Sequence, residues 1–121
     1  MYVDPEYRTH QPADVLIHIS HYPQGAMIFY CPGCKAIHRV NVAPTKESVV
    51  WGYNGDPVKP TLSPSVLQYA DPGGHHPRCH SFVRNGQIQF LSDCGHELAG
   101  MVVSMIPYDE AGDTKQPSTI N

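Results

Sequence analysis

The sequence predicts a mainly β single domain of short antiparallel strands and hairpins, with a small α+β arrangement as the alternative. Three observations predict it. Twelve Pro and ten Gly in 121 residues leave little room for long helices. Apolar residues alternate with polar ones, or run in short blocks closed by turn residues. All four cysteines fall in two clusters that also carry histidine, Cys31-Pro-Gly-Cys34 and, downstream, Cys79-His80 with Cys94-Gly-His96. A Cys-x-x-Cys turn sets two thiolates on one side of the backbone, and a second pair from elsewhere in the fold completes a tetrahedral zinc site.

The elements follow in order. Asp14-Val-Leu-Ile-His-Ile-Ser20 reads as a first strand, after a polar arm. Ala26 to Tyr30 and Ile37 to Val42 form a hairpin with the Cys31-Pro-Gly-Cys34 knuckle at its tip. Val49-Val-Trp-Gly-Tyr53 is a strand closed by Asn54-Gly55-Asp56. Lys59 to Ser65 contains two prolines, so it is expected as an extended edge segment leading into Val66-Leu-Gln-Tyr69. His80 to Arg84 and Gln87 to Leu91 flank Asn85-Gly86, a two-residue hairpin turn. That turn pairs Arg84 with Gln87, Val83 with Ile88 and Ser81 with Phe90. It sends Cys79 and Cys94 to the inner face, and His80 and Asp93 to the other face. Leu98 to Ile106 is a short turn and a final apolar strand. The expected organisation is an arm and first strand over 1–25, a zinc-binding β domain over 26–107 and a mobile tail over 108–121.

Composition narrows the function. The net charge is −3, and Lys and Arg total only eight without a run, so the chain has no basic footprint for nucleic acid. No apolar stretch reaches the ~20 residues that span a bilayer, and the start lacks a basic-then-apolar leader. A cytoplasmic, reducing setting is therefore expected, where paired cysteines serve as metal ligands rather than disulfides. The metal set read from the residues is Cys31, Cys34, Cys79 and Cys94, with His96 as the alternative to Cys94. His38 is read as an exposed strand histidine in preference to a ligand. His75 and His76 are read as solvated loop residues.

His80, Asp93 and His96 are the acid–base candidates, since an imidazole beside a carboxylate can activate water. His96-Glu97 is not the start of a zincin helix motif, because position 100 is Gly. The zinc deaminase signature is also absent, since no His-x-Glu precedes Cys31. Ser63 and Ser65 have no base beside them in sequence, which leaves a serine nucleophile unsupported. Trp51, Tyr53 and Asn54 are read as either a recognition patch or the lid of a small core, the lone Trp favouring core.

Cys31-Pro-Gly-Cys34, Trp51-Gly-Tyr-Asn-Gly-Asp56, Pro60-Thr-Leu-Ser-Pro-Ser65, Cys79-His-Ser-Phe-Val-Arg-Asn-Gly86 and Ile88-Gln-Phe-Leu-Ser-Asp-Cys94-Gly-His96 together resemble a family of small phage and prophage zinc-binding-type proteins known as a domain of unknown function. The resemblance covers about residues 26–107. Some members carry an ammonia monooxygenase label, which nothing in these residues supports. Some relatives are encoded beside bacterial ubiquitin-like proteins and their activating enzymes, which implies a peptidase that trims or removes the modifier. In relatives Cys94 can be serine while His96 is kept, which implies a ligand or catalytic role for His96.

Two functions follow as expectations. The sharper is a zinc-dependent hydrolase or peptidase acting on an extended protein tail, such as that of a ubiquitin-like modifier. Zinc would polarise the carbonyl, His80 or His96 with Asp93 would shuttle protons, and the tail would add to the strand edge near 59–69. The other is a non-catalytic, zinc-stabilised module that binds a host protein. Either way the partner is a protein, with no nucleic acid and no membrane, and the sequence sets no oligomeric state.

Overall fold

The computed structural model describes residues 10–18, 25–43, 49–74 and 76–111. Eight strands form two antiparallel sheets, and there is no helix among the described residues. Among the described residues, therefore, no helix is long and apolar enough to cross a membrane.

The first sheet has the order β1-β2-β3, with β1 Leu16–His18, β2 Ala26–Cys31 and β3 Ala36–Asn41. Residues Phe29 and His38 face each other across β2 and β3, and Cys31 faces Ala36. Strand residues two apart share a face, so Met27, Phe29 and Cys31 point one way together with His38 and Val40. All five are buried.

The second sheet runs β4-β5-β6-β7-β8, with β4 Gly52–Tyr53, β5 Leu62–Gln68, β6 Cys79–Arg84, β7 Gln87–Phe90 and β8 Val102–Ser104. The β6–β7 register is the expected one: Ser81 with Phe90, Val83 with Ile88, Arg84 with Gln87. Asn85 and Gly86 both take positive φ, at 51° and 77°, the requirement of a two-residue turn matched to strand twist. Cys79, Ser81, Val83, Ile88 and Phe90 are buried, while Arg84, Gln87 and Gln89 face out.

The two inner faces pack on each other. Leu16, Met27, Phe29 and Val40 from one sheet meet Leu62, Val66, Val83, Ile88 and Phe90 from the other in a single cluster. Phe29 and Phe90 are wholly buried, and each such side chain contributes roughly 1.5–3 kcal/mol. Cys31 and Cys79 belong to the same cluster, so the thiols sit where the sheets meet.

One reading needs correction. Lys59 to Ser65 is not an edge segment: β5 begins at Leu62 and lies between β4 and β6. Pro64 is tolerated because the β5–β6 register slips between Leu62 and Val66, where no ladder donor is needed. Residues 108–111, where the expected tail begins, contact His10 and Asp14. Tyr108 N–H donates to the Asp14 carbonyl at 2.8 Å, His10 Nε2 meets Asp109 Oδ1 at 3.0 Å, and Ala111 is buried. The rest of that tail, 112–121, lies outside the described residues, as does His75.

Candidate functional site

β5 and β6 pair so that Leu67 faces His80. Ser65, two residues back, lies on the same face and diagonal to His80, within side-chain reach. The bulge before Val66 aims it there. Ser65 Oγ and His80 Nε2 are 3.0 Å apart. On its other side, His80 Nδ1 stands 3.4 Å from Asp93 Oδ2. The same carboxylate oxygen accepts from Arg78 Nε at 3.0 Å and Nη2 at 2.8 Å. The Arg78 guanidinium holds the Asp93 carboxyl below the usual carboxylate range, with the His80 hydrogen bond adding to it. Ser65 and His80 are half-buried. The result is a hydroxyl, an imidazole and a carboxylate in line on the outer face, the arrangement that activates a serine on unrelated folds.

On the inner face lies a second constellation. One donor atom from each of Cys31, Cys34, His38 and Cys79 lies within 4.8 Å of the other three. Cys31 Sγ and Cys79 Sγ are 3.9 Å apart, close to the edge of about 3.8 Å that a tetrahedron with zinc–sulfur bonds of about 2.3 Å requires. All four cysteines are free thiols. Hydrogen bonds from Cys34 and then Cys79 hold the Cys31 thiol well below its ordinary range. The same contact with Cys31 pushes Cys34 up to about 12 and raises Cys79. His38 Nε2 is buried without a hydrogen-bond partner, and such an orphaned polar atom beside three thiols fits a metal.

A neighbouring triple, Cys79, Cys94 and His96, shares Cys79 with the first group. It supplies three donors, whereas a closed tetrahedral site needs four. Cys94 Sγ is already engaged, donating to the His80 carbonyl at 3.2 Å and accepting from the His80 N–H at 3.3 Å. His96 Nδ1 accepts from Leu98 N–H at 3.2 Å, and His96 Nε2, like that of His38, is buried without a hydrogen-bond partner.

A family model described as "Bacterial ubiquitination-like system serine protease (BubE)" matches residues 2–91. The chain belongs to the BubE family. No curated protein and no solved structure matches it. The BubE match fits the expected relation to ubiquitin-like systems. It includes residues 2–25, which lay outside the span read from the sequence motifs.

In the structure, the sequence-predicted site residues divide in two. His80 and Asp93 are brought together, as their shared face implied. His96 is on the opposite side of the sheet, edge-on to Phe90 at 4.6 Å between ring centroids. Cys31, Cys34 and Cys79 converge, while Cys94 stands in the neighbouring triple. The exposed reading of His38 is overturned: it is 5 % exposed and lies diagonal to Cys31 across β2 and β3. Ser65 was the residue sequence reasoning missed. Its imidazole partner, His80, lies fifteen positions away and becomes a neighbour only through the β5–β6 register.

Gly33 makes room for His96. A Cβ at Gly33 would fall far inside contact distance of Cε1, Nε2 and Nδ1 of the His96 ring. Gly33→Ala is therefore expected to cost about 1–3 kcal/mol through overpacking. A thermal melt should show a drop of several degrees, and an unchanged melt would contradict the placement of His96.

Proposed function

We propose that the chain is a serine peptidase that cleaves an extended segment of a protein substrate, the tail or conjugate of a ubiquitin-like modifier. The observation that carries this is the hydrogen-bonded line Ser65–His80–Asp93. Membership of the BubE family supports it. Ser65 Oγ attacks the scissile carbonyl while His80 Nε2 takes its proton. Asp93 orients His80 through Nδ1–H and stabilises the imidazolium. The tetrahedral intermediate collapses with the C–N bond breaking, and His80 returns the proton to the leaving amine. Water then enters along the same route, His80 deprotonating it, and the Ser65 ester is hydrolysed.

In this reading the Cys31, Cys34, His38 and Cys79 group holds zinc as a structural cross-link between the sheets. Zinc bound there would supply folding energy, since four protein donors leave no open position for water. The expectation of a zinc-activated water therefore gives way to a serine nucleophile, and the non-catalytic module gives way to a hydrolase.

Inhibitors separate the readings. Cleavage of a ubiquitin-like fusion should be blocked by serine-directed phosphonates and resist hydroxamates; the reverse pattern would restore the zinc hydrolase.

Arg78 is a positioning residue in this scheme. Arg78→Ala is expected to lower kcat by roughly ten- to a hundred-fold with little change in KM, because Asp93 loses its two-pronged anchor. Arg78→Lys should recover only part, since an ammonium cannot reproduce the fork. A change confined to KM would place Arg78 in substrate binding instead.

A further inference from the structure

β4 covers only the start of β5: Gly52 pairs with Ser63 and Tyr53 with Leu62. From Ser65 to Gln68, β5 has β6 on one side and no paired strand on the other among the described residues. The direction of the free backbone groups can be read. Trp51, just before β4, donates from Nε1 to the Ser65 carbonyl at 3.2 Å, so that carbonyl points to the β4 side. In an extended strand the groups of residue i+2 point the same way. Leu67 N–H and C=O therefore face the same edge, which no described strand pairs.

This edge is also the approach to the nucleophile. His80 lies on the β6 side of Ser65, which leaves the opposite side and the space above the sheet for an arriving carbonyl, and of these only the edge offers backbone groups to hold a peptide. Leu67 is 37 % exposed and Tyr69 72 %, both share the parity of Ser65, and the Arg78 guanidinium stands 5.9 Å from the Tyr69 ring centroid.

Resting on the serine reading, we infer that the substrate binds as an added β-strand along the open edge of β5, hydrogen-bonded to the backbone of Leu67. Its scissile carbonyl lies beside Ser65, and large apolar side chains at alternate positions contact Leu67 and Tyr69. The substrate is thus an unstructured, extended segment read mainly by its backbone, the mode of recognition that sheet edges offer. A folded surface loop does not fit this edge.

The test uses a fluorogenic library of extended octapeptides with the full chain, followed by N-methylation of each amide of the best-cleaved peptide. Loss of kcat/KM should alternate along the peptide, about ten-fold or more at the positions that bond the edge. Leu67→Pro removes one outward donor while leaving the β6-facing groups of Val66 and Gln68 in place. It should lower peptide kcat/KM, measured per Ser65 that fluorophosphonate titrates, about ten-fold and clearly more than Leu67→Ala. A flat N-methyl scan on the wild-type protein would overturn the inference. So would a Pro variant no worse than the Ala variant, or a chain whose Ser65 labels but which cleaves no octapeptide. Absence of labelling at Ser65 would overturn the serine reading and this inference with it.

Discussion

Ser65→Ala is expected to lower kcat by about four to six orders of magnitude, leaving only what substrate binding alone provides. The argument is geometric. Ser65 Oγ is 3.0 Å from His80 Nε2, and the Nδ1 side of His80 is occupied by Asp93. Removing the hydroxyl removes the atom that forms the new bond, and no other hydroxyl is hydrogen-bonded to His80 among the described residues. His80→Gln should cost nearly as much. The double variant should be no worse than either single one, because groups that act as a unit are not additive. The fold should be little affected. Ser65 is a half-buried side chain on the sheet surface, and one hydrogen bond there is worth about 1 kcal/mol. Kinetics with a fusion substrate, beside a thermal melt, check both halves. A Ser65→Ala protein that turns over at a rate close to wild type would end the serine account.

Removal of the metal should have the other large effect, on the fold first and on turnover through it. Structural zinc contributes an apparent ~10–16 kcal/mol in small zinc domains, against a total stability of about 5–15 kcal/mol for an ordinary domain. Here the donors come from both sheets, with Cys31, Cys34 and His38 on one and Cys79 on the other. Chelation should therefore unfold the chain cooperatively rather than yield a metal-free native protein. Activity should vanish with the fold, because the ligand Cys79 immediately precedes His80. Native mass spectrometry is expected to show one zinc per chain. His38→Ala and Cys79→Ser should lose it, whereas Cys94→Ser should keep it and perturb His80, whose backbone it brackets. A chain that sheds zinc while its melt is unchanged would contradict the structural role. Zinc retained in His38→Ala but lost in Cys94→Ser would replace His38 by Cys94 in the ligand set.

What was legible in the sequence was whatever short-range pattern fixes. Asn85-Gly86 dictated the β6–β7 register, and with it the inward Cys79 and the outward His80. The Cys31-Pro-Gly-Cys34 turn announced a hairpin tip, and the strands on either side formed as read. What escaped depends on contacts between strands that no tight turn joins. Ser65 reaches His80 only because β5 gains extra residues between Leu62 and Val66, and a bulge within a proline-containing segment leaves no period to read. The prolines also led to an edge assignment for a strand whose start lies between β4 and β6. His38 was within reach of simple counting: with Cys31 opposite Ala36, position 38 falls diagonal to Cys31 on the buried face. The weight placed on isolated strand histidines obscured it.

The most direct test of the central claim is site mapping of a fluorophosphonate adduct on the zinc-loaded chain by peptide mass spectrometry. The account predicts one adduct per chain, on Ser65, abolished in His80→Gln and indifferent to hydroxamate. A chain that cleaves its protein substrate yet carries no adduct, or carries it on another residue, would contradict it.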